Sequence, residues 1–80
     1  MVCGSGIGVS IAANRIKKIR AAVCYNKKSA SLARKHNNAN VLCLGARLID
    51  FKNIKTIVNT FISTKFEKGR HLTRVKKLDK

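Results

Sequence analysis

Cys3-Gly4-Ser5-Gly6-Ile7-Gly8 is the stretch on which the fold turns. Glycines at alternate positions let backbone amides converge without side-chain clash. Upstream, Met1-Val2-Cys3 reads as the last residues of a β-strand. Downstream, a helical pattern runs from about Gly8 to Lys18, with Val9, Ala12, Ala13 and Ile16 on one face. A strand that passes through a glycine turn straight into a helix places the helix N-terminus at the carboxyl edge of a sheet, where open α/β folds bind ligands. The turn is not the dinucleotide fingerprint. Its spacing is G-x-G-x-G, and no acidic residue ends the next apolar run near Tyr25.

Working outward, Ile19–Tyr25 predicts a short strand, apolar on both faces like a central parallel strand covered by helices. Lys28–His36 predicts a second helix that buries Ala30 and Ala33, and Asn37 and Asn38 suit its C-cap because Asn tolerates the left-handed conformation. Asn40–Gly45 is the next strand, again continuously apolar. Asp50 is placed to N-cap a third helix with the stripe Phe51, Ile54, Ile57, Val58, Phe61 and Ile62. Gly69 then breaks the chain, and a last helix from Arg70 to Leu78 carries Leu72, Val75 and Leu78. Strands alternating with amphipathic helices predict one α/β domain over residues 1–80, a three-layer Rossmann-like sandwich with a parallel sheet. With only two complete strands, such a sheet covers three helices poorly. The expectation is therefore a domain truncated at its N-terminus, or one whose cover comes from a partner.

Composition narrows the class. Hydrophobic residues make up 45% of the chain, too many for a disordered tail. No segment is long and apolar enough to span a membrane, and no secretory leader is evident, so a cytoplasmic location is expected. Cys3, Cys24 and Cys43 are odd in number and form no C-x-x-C pair, which indicates neither a zinc site nor a disulfide framework. Cys24 and Cys43 lie in apolar runs and read as small buried hydrophobes. Eighteen Lys and Arg against three acidic residues give a formal charge of +15, a surface that attracts anions. An RNA-binding module would need stacking aromatics beside the basic groups. Tyr25 and three phenylalanines are available, and the phenylalanines fit helix-packing positions.

Several residues could carry chemistry. Amides of the glycine turn and the helix N-terminus can bind an anion or a developing oxyanion, and they lower the pKa of a thiol held there. Cys3 is thus a candidate base, although a buried thiol in a tight turn is the alternative. His36, at the end of the second helix, is either a favourable C-cap or an acid/base near neutrality. Arg70 and Arg74 lie four residues apart on one helix face, where they repel each other unless an anion sits between them. Arg47, and possible lining from Tyr25 and Asn26, belong to the ligand-binding edge of the sheet; His71 and Lys77 read as ordinary surface groups. A thiol, an anion-binding turn, a histidine and several arginines form the set an aldose–ketose isomerase needs.

Residues 3–14, 19–24, 29–42, 45–47 and 69–75, taken together in order and spacing, resemble the ribose-5-phosphate isomerase B family, which includes the galactose-6-phosphate isomerase subunits. The resemblance implies interconversion of ribose 5-phosphate and ribulose 5-phosphate through an enediolate, as in the pentose phosphate pathway. It implies Cys3 as the proton-shuttling base, Ser5 as a relay, and Gly4, Gly6 and Gly8 as the turn that supports the enediolate. His36 corresponds to the ring-opening residue and Asn37 to a substrate-orienting one. Arg70 and Arg74 correspond to a phosphate clamp, and Arg47 to an arginine reaching the phosphate from a neighbouring subunit. It further implies a homodimer with no metal or other cofactor. The family's Asp-His-Ala-Gly stretch has no counterpart, so the chain is read as the C-terminal part of such an enzyme, lacking about sixty residues. An inactive or split-enzyme fragment, completed by a separately encoded N-terminal piece, is the alternative, with the RNA-binding module behind it.

Overall fold

The computed structural model describes residues 1–79; Lys80, the last residue of the expected domain, lies outside them. Three strands, β1 (Val2–Cys3), β2 (Ala21–Val23) and β3 (Val41–Gly45), alternate with helices α1 (Ile7–Asn14), α2 (Lys27–Asn37), α3 (Phe51–Ser63) and α4 (His71–Leu78). The sheet is parallel, in the order β1-β3-β2, with Val2 opposite Leu44, Cys3 opposite Gly45 and Val23 opposite Cys43. Crossovers between parallel strands are right-handed. The step from β1 to β2 and the step back from β2 to β3 run in opposite directions across the sheet, so α1 and α2 fall on opposite faces. The core on the α2 face joins Cys24 and Leu44 to Ala30, Ala33 and Ile57, with Ala22, Leu42, Ile54, Val58 and Phe61 packed around them.

The expected truncated sandwich is corrected in one respect. Met1–Cys3, expected to supply only the last residues of a strand beside two complete ones, contributes a third paired strand. Val2 and Cys3 form a strand in register with β3, the Leu44 amide donates to the Met1 carbonyl at 2.8 Å, and the Ala46 amide donates to the Cys3 carbonyl at 2.8 Å. The sheet therefore has three strands and helices on both faces, an α/β/α sandwich whose central strand is β3.

Local chemistry sets the element ends. α1 stops at Asn14, short of the expected Lys18, because the Asn14 side chain bonds both ways to Ala21: its amide donates to the carbonyl at 3.0 Å and its oxygen accepts from the N–H at 2.8 Å. Lys18, at φ 69°, turns the chain toward β2. Asn26 and Ser29 form a reciprocal capping box at the start of α2, and Asn38, at φ 47°, closes it in the left-handed conformation predicted for it. Asp50 stands at the N-cap of α3 without a side-chain cap bond. Of the α3 stripe, Ile57 is fully buried, whereas Phe51 and Ile62 are exposed.

Candidate active site

Cys3 ends β1, and the loop after it folds back under the N-terminus of α1. The Gly6 amide donates to Cys3 Sγ at 3.1 Å, and the Ile7 amide donates to Ser5 Oγ at 3.2 Å. The N–H groups of Val9, Gly6, Ser5 and Gly8 favour a thiolate and hold the Cys3 thiol below the usual thiol range, against partial desolvation that pushes it up. Burial pushes Cys24 and Cys43 the other way. Of the three thiols, Cys3 alone is shifted toward the thiolate.

The glycines contribute unequally. Gly6 has φ 79°, and a Cβ there would meet the Leu44 and Gly45 backbone at 3.0–3.1 Å, so the turn requires glycine. A Cβ at Gly8 would meet nothing within 4 Å. Gly45, which the sequence analysis did not single out as a site residue, matters more. A Cβ on it would lie 2.6 Å from the Ser5 carbonyl oxygen, so the bare backbone at the end of β3 lets the thiol-bearing loop seat on the sheet. The Arg47 amide donates to the Gly4 carbonyl at 3.1 Å, and the Arg47 side chain packs over Gly4, at 3.4 Å from where its Cβ would be. Arg47 thus lies beside the thiol turn of its own chain. Asn26 is occupied by its capping box.

The second group of predicted residues stands elsewhere. His36 and Asn37 end α2, whose start follows the carboxyl end of β2. The 11 residues of α2 separate them from that edge by roughly 15 Å at 1.5 Å per residue. At the far end, Arg20 Nε donates to the Asn38 carbonyl at 2.9 Å and the Arg20 amide to Asn40 Oδ1 at 2.7 Å, just ahead of β2 and β3. α4 docks there. Arg74 donates to Asn37 Oδ1 at 2.7 Å and to the His36 carbonyl at 2.6 Å. The His71 ring stacks on His36 with centroids 4.4 Å apart, and His71 Nδ1 lies 3.2 Å from Arg74 Nη2. Partial desolvation, followed by the charges of His36, Arg70 and Arg74, holds His71 below the usual imidazole range, with Glu67 opposing. His71 had been read as an ordinary surface group; its place between Arg70 and Arg74, three residues before the latter, was the available signal. The fold thus gathers Cys3, Ser5 and Arg47 at one edge of the sheet, and His36, Asn37, Arg70, His71 and Arg74 near the other.

A model of the family described as ribose/galactose isomerase matches residues 1–78. The ribose-5-phosphate isomerase B of Escherichia coli K12 is 45% identical over 75 residues, covering 94% of this chain and 50% of that protein. Among solved structures, a ribose 5-phosphate isomerase B from Anaplasma phagocytophilum aligns with TM-score 0.94 at 55% identity, covering 96% of this chain and 53% of the other. One from Thermotoga maritima aligns with TM-score 0.95 at 54% identity, covering 98% and 54%. The chain spans about half the length of the curated relatives it matches. The family model matches residues 1–78, which corrects the expected resemblance to a C-terminal part into a family match along nearly the whole chain. No helix among the described residues is long and apolar enough to cross a membrane. By that match, the chain belongs to the ribose/galactose isomerase family.

Proposed function

We propose that this chain is an aldose–ketose isomerase acting on ribose 5-phosphate, with its active site assembled from two copies. The observation that carries the reading is the Cys3 thiol beneath a ring of backbone amides at the start of α1. In the proposed reaction the Cys3 thiolate removes the proton from C2 of the open-chain aldose. The electron pair moves to form the C1–C2 double bond, and the carbonyl oxygen becomes an enediolate oxygen. Amides of the turn hold that charge, as preorganised donors do in oxyanion sites. A proton passes from O2 to the O1 enediolate oxygen, the electron pair left on O2 forms the C2 carbonyl as the thiol returns the abstracted proton to C1, and the ketose leaves with the thiolate restored. Ser5, whose oxygen already accepts from the Ile7 amide, keeps its own hydrogen to exchange with the sugar hydroxyls.

His36 is assigned to ring opening and Asn37 to orienting the sugar. Arg70 and Arg74, with Arg47, are assigned to the phosphate. Arg74 can serve while still holding Asn37 and His36, since a guanidinium offers five N–H donors. Within one chain His36 is too far from Cys3 to share a substrate with it. A homodimer that sets the α2–α4 end of one copy against the thiol turn of the other brings the two sets together. Val2, Ile7, Ile11 and Ile16 are exposed on β1, α1 and the turn after it, which supports association. A cytoplasmic location accords with this reading.

Steady-state kinetics on ribose 5-phosphate test it. The chain should turn over substrate, and Cys3→Ala should lower kcat by about 10²–10⁴-fold with KM little changed, because a base acts only in the chemical steps. A Cys3→Ala protein that keeps more than about a tenth of wild-type kcat would remove the thiol from the reaction.

A further inference from the structure

Away from the thiol turn, nitrogen and oxygen ligands converge at one other place. His36 lies on the last turn of α2, and Glu67 and His71 flank the turn that leads into α4. One ligand atom from each lies within 4.8 Å of the other two. The Glu67 amide donates to the Lys35 carbonyl at 3.0 Å, which ties the carboxylate-bearing segment to the turn that carries His36. Among the described residues the Glu67 carboxylate has no ion pair, the one present being Arg20–Asp79. No hydrogen bond from a described residue engages the His36 ring, while Arg74 approaches His71.

We propose that His36, Glu67 and His71 bind a divalent transition-metal ion of the zinc class, and that the bound ion removes His36 from catalysis. Two imidazoles and a carboxylate are a donor set for borderline divalent ions, with bonds of about 2.0–2.2 Å. Tetrahedral bonds of that length place ligand atoms about 3.4 Å apart, so no edge has to close by more than roughly 1.4 Å, within reach of side-chain rotation. The stacked rings lie 19° from parallel and cannot share an ion as they stand. One ring must turn, and His71 can do so by giving up Arg74, which keeps its bonds to Asn37 and the His36 carbonyl. Glu67 offsets the charge of Arg70 and Arg74. Three protein ligands leave a fourth position for water.

The loss of catalysis rests on the isomerase reading, whereas the site does not. Titrating the metal-free full chain with Co²⁺, read by visible absorption and calorimetry, decides the site without any activity. We expect one equivalent bound, with ligand-field bands and no sulfur-to-metal charge-transfer band. Glu67→Gln and His71→Ala should each weaken binding at least about tenfold, and Cys3→Ser should leave it unchanged. Glu67→Gln is isosteric at an exposed position and keeps the fold. In turnover of ribose 5-phosphate, added Zn²⁺ should inhibit the wild type, and Glu67→Gln should resist. Absence of saturable Co²⁺ binding overturns the site, as does binding that survives both Glu67→Gln and His71→Ala or disappears with Cys3→Ser. A chain that binds Co²⁺ but turns over no substrate refutes the isomerase reading and leaves the site standing.

Discussion

Cys3 and Gly45 carry the account at the scale of single residues. A strand-end thiol is ordinarily protonated near neutrality, but Cys3 Sγ accepts from the Gly6 amide and faces the N–H groups that open α1. Those groups stabilise the anion, so the thiolate persists to lower pH than in an ordinary thiol. Burial disfavours it in Cys24 and Cys43. Alkylation by iodoacetamide at neutral pH should therefore modify Cys3 first, with a pH profile displaced to the acid side of a free thiol. Uniform labelling of the three cysteines in the folded chain would contradict this. Gly45 is a packing requirement. Gly45→Ala drives a Cβ to within 2.6 Å of the Ser5 carbonyl oxygen, and neither side is a flexible side chain. Urea unfolding should register a loss of about 1–3 kcal/mol, the usual range for overpacking, and kcat should fall as the thiol loop is displaced. Wild-type stability in Gly45→Ala would mean that the loop does not seat on β3. The alternating glycines made the anion turn legible in the sequence. Gly4, Gly6 and Gly8 look alike in the sequence; φ at Gly6 and the open space at Gly8 set them apart only in the fold.

Among the elements, the apolar runs gave all three strands and the 3.6-residue periods gave all four helices. The ends were harder to read. α1 was extended to Lys18 because Ile16 continues its stripe, yet Ile16 is exposed and Asn14 has already turned its side chain to Ala21. That contact joins residues seven apart across a loop, and no local propensity encodes it. The pairing of His36 with His71 was invisible for the same reason: it depends on how α4 docks on α2. This docking should respond to pH. His71 is held below its ordinary range, so the undocked state binds the proton more readily. The stabilisation from His71 is then fully present above about pH 6.5, the ordinary imidazole value, and is lost as pH falls through the lowered one. Glu67, facing the pair, opposes the effect, and Arg70 and Arg74 reinforce it. Hydrogen-exchange protection of the α4 amides should drop on acidification below that range, and less so in His71→Asn. Protection that does not change with pH would show that the stack does not hold α4.

For the whole molecule, the parallel strands and the length of α2 decide what one chain can do. Residues that follow strands end at the carboxyl edge, as Cys3 and Arg47 do. Residues that end helices lie at the other, as His36 and Asn37 do. The sequence identified both groups and assigned them to one site, but their separation along α2 became evident only once the crossovers were traced. The exposed aliphatic residues on α1 add a surface that association would cover. In the proposed function, Cys3 of one copy works with His36 of another. Subunit complementation tests it most directly: purify Cys3→Ala and His36→Ala proteins, each expected to be nearly inactive, mix them under exchanging conditions, and isolate the mixed dimer by differential tags. A mixed dimer holds one site with both wild-type residues and one with neither, so it should recover about half of the wild-type turnover of ribose 5-phosphate per dimer. Turnover in the isolated mixed dimer no greater than that of the two parent variants would contradict the shared site.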